Sequence, residues 1–187
     1  MIRTFLAVDL DGELLDEVAA LASRLRGGAV LSGPGVRWVD RSAMHVTLRF
    51  FGSTTDEQLV TQRALVSELA VPDAPTERVV RAASLTGFPD AHRARIVVVE
   101  LAAGSLLDSL AQRAESAARA MGFEAESRAY RPHLTLARSK APRDITALSA
   151  APLRLPAGRI ESLTLYGSET GPKGPIYTPL ASRPLHG

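Results

Sequence analysis

Two short segments carry the residues that could do chemistry. "MHVTLRF" occupies 44–50 and "PHLTLAR" occupies 132–138, so His-x-Thr-Leu occurs twice, 88 residues apart. The chain holds only four histidines and 12 threonines, which makes a chance repeat rare. On a β-strand, side chains alternate between the two faces. His45 and Thr47 then point one way while Val46, Leu48 and Phe50 point the other, into a core. His133 and Thr135 share a face likewise, opposed by Leu134 and Leu136. Each motif therefore presents an imidazole beside a hydroxyl, anchored by apolar residues behind.

If two such surfaces meet, they supply an acid and a base. Imidazoles near their unperturbed pKa of about 6.5 can hold opposite protonation states close to neutrality. One takes a proton from water while the other protonates a leaving oxygen. Threonine hydroxyls can donate to nonbridging phosphate oxygens. Arg138 adds a permanent charge with the fork geometry that suits a phosphoryl group. A lone His-x-Thr on a strand is ordinarily structural, and such short motifs match by accident often. The repetition reverses that balance, because the segments between the copies have diverged much further than the motifs. Metal ligation is the weaker chemical reading. It wants further His or carboxylate ligands close by, yet neither motif contains an acid and Asp40 stands five residues before His45. Metal ligation stays open but second-rate, and no cofactor is expected.

The elements that must position these residues follow from periodicity. "TFLAVDL" (4–10) reads as a strand, and Leu14, Leu15, Val18, Leu21, Ala22 and Leu25 are spaced as a helix over 13–26. An edge strand is expected at 36–39 and a longer one at 45–52. A helix over 56–70 starts on a Thr54-Thr55-Asp56-Glu57 cap. Strands are expected at 77–87, 94–101, 132–138, 162–169 and 176–182, with a helix at about 104–121.

The halves repeat one another. "LAVDLDGELLDEV" (6–18) parallels "VVVELAAGSLLDSL" (97–110), pairing Asp9 with Glu100, Gly12 with Gly104 and Leu14-Leu15-Asp16 with Leu106-Leu107-Asp108. Two copies cannot make a solenoid. They predict an α+β protein of two pseudo-symmetric lobes around a central cleft. Each lobe is a mainly antiparallel sheet with helices on its outer face, and residues 1–187 form a single two-lobed domain. No Gly-rich phosphate loop follows any strand, which disfavours a doubly wound parallel sheet.

Bulk composition restricts the setting. Hydrophobic residues make up 45% and charged residues 22%, with a formal net charge of +2 and arginine far outnumbering lysine. That excess suits a phosphate-bearing substrate without arguing for long nucleic acid. There are no cysteines, so thiolate chemistry is excluded. No apolar run is long enough to span a membrane, and the N-terminus turns acidic too early for a signal peptide. A cytoplasmic monomer with no membrane association is the expectation. Among weaker candidates, His92 in "FPDAHRAR" is expected in an exposed loop, and Arg93–Arg95 in a solvated turn or a polyanion guide. His186, one residue from the C-terminus, is expected to be mobile. Trp38 and Tyr130, just ahead of the motifs, suit base stacking or core packing.

At these residues the sequence resembles the two-histidine phosphoesterase superfamily, most closely the bacterial RNA 2′,3′-cyclic phosphodiesterases, historically called 2′-5′ RNA ligases. The resemblance runs through "RTFLAVDL", "VRWVDRSAMHVTLRFFG" (36–52), "LTGFPDAHRARIVVVEL" (85–101) and "GFEAESRAYRPHLTLARS" (122–139), nearly the whole chain. It places the family's paired histidines on His45 and His133, its phosphate-binding threonines on Thr47 and Thr135, and its arginine on Arg138. Strict alternation would turn Arg138 away from His133, so an inward Arg138 requires a bulge or strand end. The resemblance implies metal-free hydrolysis of a terminal RNA 2′,3′-cyclic phosphate to a 2′-phosphate, with reversible 2′-5′ ligation. It also implies RNA ends or nucleotides bearing that phosphate as partners. His133 is assigned as general base and His45 as general acid, and pseudo-symmetry leaves the exchange of those roles open. The competing readings are a superfamily enzyme for another small cyclic phosphate or a 2′-5′ oligonucleotide, and a non-catalytic RNA- or nucleotide-binding module.

Overall fold

The computed structural model describes residues 1–102, 105–171 and 174–185. His186 and Gly104 lie outside the described residues. The chain runs β1 (Ile2–Leu10), α1 (Gly12–Arg26), β2 (Val36–Trp38), β3 (Val46–Thr54), α2 (Asp56–Glu68), β4 (Val79–Val80), β5 (Ala82–Phe88), β6 (Ala94–Leu101), α3 (Ser105–Ala120), β7 (His133–Arg143), α4 (Thr146–Ser149), β8 (Gly158–Gly171) and β9 (Gly174–Pro184).

Two antiparallel sheets result. One has the order β3-β1-β8-β4, with β9 also pairing β8; the other is β2-β7-β6-β5. The triplets β3-β1-β8 and β7-β6-β5 correspond, with a motif strand outermost in each and the repeat's first strand beside it. Helices pack on the sheets: α3 against β3, α2 against β8 and β9, and α1 against both β7 and β8. The expected α+β, two-lobed architecture is therefore present.

The apolar backs of the motif strands enter the core as the alternation requires. Val46, Leu48, Leu134 and Leu136 are all buried, joined to the same hydrophobic cluster as Leu14, Val18, Leu110 and Leu163. A fully buried leucine truncated to alanine typically costs 2–5 kcal/mol, so these backs hold each motif firmly against its lobe. Helix α2 begins on Thr55, whose hydroxyl accepts from the Gln58 amide while the Gln58 side chain accepts from the Thr55 amide. Close packing between β5 and β6 depends on Gly87, where an added Cβ would lie 2.4 Å from the Ala94 Cβ.

Three elements differ from the sequence expectation. The strand expected at 77–87 is interrupted, with a 3-10 turn at Pro75–Arg78 followed by β4 and β5. The C-terminal hairpin is longer than 162–169 and 176–182, because Pro175, Pro179 and Pro184 are accommodated on β9 at the sheet edge. Strand β2 is an edge strand as expected, but it pairs with β7 of the other half. Local pattern says nothing about which sheet an edge strand joins.

Candidate active site

His45 immediately precedes β3, and His133 opens β7. In both, the backbone two residues upstream fixes the ring. His45 Nδ1 donates to the Ala43 carbonyl at 2.9 Å, and His133 Nδ1 donates to the Arg131 carbonyl at 2.7 Å. A carbonyl only accepts, so each Nδ1 carries its proton and the neutral ring keeps its lone pair on Nε2.

Around His45 the first lobe builds an aromatic wall. Phe5 stacks on His45 with centroids 4.8 Å apart and on Phe50 at 5.4 Å, while Tyr177 meets His45 edge-on at 5.1 Å. Tyr166 lies 5.2 Å from Phe5. Beyond it Asp9 accepts from Ser162 at 2.6 Å, Thr164 at 2.7 Å and the Tyr166 hydroxyl at 2.8 Å. The second lobe is more open. Phe88 meets His133 edge-on at 5.0 Å and carries the Arg131 guanidinium over its ring at 4.5 Å. Arg131 also bonds Glu100 at 2.8 Å, and Glu100 lies directly opposite His133 in the β6–β7 register. The repeat's acidic pair, Asp9 and Glu100, thus occupies the strand beside each motif strand.

Electrostatics ties the parts together. Burial pushes the His45 pKa down to about 4, opposed by its carbonyl bond and the Asp9 charge and reinforced by the His133 and Arg138 charges. Burial also lowers His133. Its carbonyl bond and Glu100 oppose this, while Arg138 and Arg131 lower it further. His133 and Arg138 are therefore close enough for their charges to act on His45, and Arg138 for its charge to act on His133. The expectation of two imidazoles near their ordinary pKa is corrected here: desolvation keeps both neutral at pH 7 in the free site.

Arg138 reaches this cluster through a bulge. Val97 pairs with Ala137 but Val98 pairs with Thr135, leaving Leu136 as an extra residue in β7. Leu136 and Ala137 are consequently both buried, and the alternation resumes with Arg138 exposed. Strand β3 repeats the device. Leu6 pairs with Arg49 and Ala7 with Thr47, Leu48 and Arg49 are both buried, and Phe50 returns exposed. Phe50 therefore occupies the position in the first lobe that Arg138 occupies in the second. Thr47 and Thr135, half-buried, lie opposite Ala7 and Val98 on the strands beside them.

The remaining candidates separate from the site. His92 is exposed beside Asp144 and Thr146. Trp38 and Tyr130 pack against the core, the Tyr130 hydroxyl buried without a partner and pushed above its ordinary pKa by that burial. A groove lined by Arg49, Phe51, Phe123 and Glu126 holds none of the histidines or threonines. Among the described residues, no group of three or more His, Cys, Asp or Glu side chains is disposed to hold a metal ion. Phe5, Tyr166, Tyr177 and Phe88 went unread in the sequence, and Phe50, expected in the core, is exposed instead. Only superposing "HVTLRF" on "HLTLAR" would have signalled that exposure, by aligning Phe50 with Arg138.

Paired imidazoles and a guanidinium, on matched strands of two lobes, define a phosphoesterase of the two-histidine type. The chain belongs to the LigT-like phosphoesterase family, whose model matches it twice, over residues 8–98 and 99–177. It is 31% identical over 182 residues to an RNA 2′,3′-cyclic phosphodiesterase of Methanothermobacter thermautotrophicus, covering 95% of each chain. A Thermus thermophilus protein of the same name is 31% identical over 196 residues, covering 99% of this chain and 91% of the relative. A crystal structure of a Thermus thermophilus protein superposes with a TM-score of 0.76 at 28% identity, covering 98% of both chains. Escherichia coli LigT complexed with 3′-AMP shares the fold, with a TM-score of 0.64 at 23% identity and coverage of 98% of this chain and 96% of that one. Among the described residues, no helix is long and apolar enough to cross a membrane.

Proposed function

We propose that this hydrolase opens terminal RNA 2′,3′-cyclic phosphates to 2′-phosphates, without a metal, using His133 as base and His45 as acid. The observation that carries the reading is the pair of Nδ1-anchored imidazoles, with His133 and Arg138 near enough for their charges to act on His45. The relatives named RNA 2′,3′-cyclic phosphodiesterase support the same substrate. His133 Nε2 takes a proton from water, the water oxygen bonds to phosphorus, and the O3′–phosphorus bond breaks. His45 Nε2–H then supplies the proton to O3′. If a 5′-hydroxyl replaces water, the same steps form a 2′-5′ linkage.

The neighbouring charges favour this division of roles. The largest charge effect on His45 is the stabilising Asp9 carboxylate, whereas on His133 it is the opposing Arg138 guanidinium. These charges lean toward His133 as base. Burial is the larger effect on both rings and lowers His45 to about 4, so His45 can act as acid only once a phosphate anion offsets that burial. Arg138, Thr47 and Thr135 stabilise charge developing on the phosphorus oxygens. The proposed unit is a single two-lobed domain over 1–187, supported by the shared hydrophobic cluster, working as a cytoplasmic monomer.

Turnover of 2′,3′-cyclic nucleotides and of a cyclic-ended oligoribonucleotide tests the proposal. His45→Ala and His133→Ala should each lower the rate by about 10²–10⁴-fold. The double variant should be far less than multiplicatively worse, because groups acting together are not additive. A His45→Ala protein with full activity and an unchanged pH profile would refute the paired mechanism.

A further inference from the structure

Arg37 and Arg138 are register partners across the β2–β7 pair. Residues directly opposite on antiparallel strands project their side chains to the same face, with Cα atoms about 4.5–5.5 Å apart. Like charges in that position destabilise a sheet. Both arginines are exposed, and among the described residues neither forms an ion pair with a carboxylate. Arg41, Arg49, Arg128 and Arg131, by contrast, are each matched to an acid. Two uncompensated guanidiniums side by side favour an anion, which offsets the repulsion that solvent and splaying only reduce.

Their placement says which anion. Arg138 acts on both histidines, so it addresses the reacting phosphate. Arg37 lies on the edge strand, one strand further from β6 and so outward from His133. Strands are spaced by about 4.8 Å, and repulsion spreads the two guanidiniums further, comparable with the step between successive phosphates of a nucleic-acid strand. The basic ground continues past them. The Lys140 amide donates to the Gly35 carbonyl, which puts Lys140 of β7 beside the chain leading into β2, and Arg95 of β6 donates to the Lys140 carbonyl at 2.8 Å from the other side.

We propose that Arg37 binds the phosphodiester preceding the cyclic end, making an oligonucleotide terminus, not a free cyclic mononucleotide, the preferred substrate. This rests on the phosphodiesterase reading above and adds the polarity of the strand: the chain leaves the cleft over the β2–β7 edge.

The experiment compares a 2′,3′-cyclic mononucleotide with a tetraribonucleotide ending in the same group, across a series of salt concentrations. Wild type, Arg37→Gln and Arg37→Lys are measured; the position is exposed on an edge strand, so folding is retained and is checked by circular dichroism. Wild type should prefer the tetranucleotide in kcat/KM by about tenfold or more. Arg37→Gln should keep mononucleotide turnover within about twofold and lose most of that preference, through KM. The slope of log kcat/KM against log salt for the tetranucleotide should shrink by about 0.7, the value of one single-strand phosphate contact. Arg37→Lys should retain most of the preference. Equal loss on both substrates would place Arg37 on the reacting phosphate and overturn the inference. So would an Arg37→Gln protein with its preference intact, or a wild type without one. No turnover of either substrate by wild type would overturn the phosphodiesterase reading itself, and this inference with it.

Discussion

The free site holds both imidazoles neutral, yet the proposed displacement needs one of them charged. The substrate must therefore supply what burial removes, and the size of that contribution can be worked out. His45 lies with its pKa pushed down to about 4. A single negative charge about 4 Å from the ring, at an effective dielectric of about 20, is worth about 4 kcal/mol. That is a factor of about 10³ in the protonation equilibrium, enough to return His45 to the ordinary imidazole range. Site-resolved NMR of the imidazoles, assigned with His45→Asn, should show His45 neutral down to about pH 4 in the free protein. A nucleoside 2′-phosphate, the product of the proposed reaction, should raise its pKa into the range where it is charged near neutrality. Kinetics should carry the same signature. The profile of kcat/KM reports free-enzyme groups and that of kcat reports the complex, so the optimum for kcat/KM should lie at lower pH. Titration of free His45 near 6.5, or no upward movement with the phosphate bound, would refute the reasoning.

Turnover should survive EDTA, because proton transfer and charge stabilisation are assigned to His45, His133 and Arg138; loss in chelator with recovery on adding one divalent metal would count against it. Stability should depend on the same histidines. Folded His45 titrates below the ordinary 6.5 of the unfolded chain, so the unfolded chain takes up the proton first as pH falls. Its contribution is full above about 6.5 and is lost between there and about 4. By pH 4.5 that amounts to about 2–3 kcal/mol, read as the extra loss in urea midpoint of wild type over His45→Asn between pH 7 and 4.5. Gly87→Ala should destabilise by about 1–3 kcal/mol through overpacking against Ala94, seen as a lowered Tm; an unchanged Tm would show that β5 and β6 separate freely.

Much of this site was legible because the motif strands obey simple periodicity where it matters. The alternation of His45, Thr47 and their apolar backs follows from a two-residue repeat, and burial of Val46 and Leu48 agrees with it. The internal repeat correctly set Asp9 beside Glu100, though not their role beside the rings. What escaped was the break in periodicity in β3; in β7 the inward Arg138 that the resemblance implies had already called for one. A bulge leaves no residue-type signature in "TLRF" or "TLAR", so Phe50 reads as a core residue by alternation and lies 40% exposed instead. The depressed pKa values escaped for a related reason: they depend on rings from β1, β8 and β9 that lie near His45 only after the sheet has formed.

The repeated bulge also offers a nearly symmetric scaffold a way to support the proposed directional reaction. A strict two-fold cleft would present identical groups to both sides of phosphorus, giving nothing to distinguish attacking water from departing O3′. Both motif strands expose the sixth residue of the motif, and that residue differs: Phe50 in one lobe, Arg138 in the other. The ring extends an apolar stack that desolvates His45, while the guanidinium disfavours a second positive charge on His133. Phe50 in turn lies under the Arg3 guanidinium, 5.7 Å from its centroid. Exchanging the two residues, Phe50→Arg with Arg138→Phe, would therefore bring the cation to the acid and the ring to the base. The expected result is a loss of turnover much larger than either Thr→Ala change produces, with both histidines intact. If the exchanged protein kept its rate and pH profile, direction would have to come from elsewhere in the cleft.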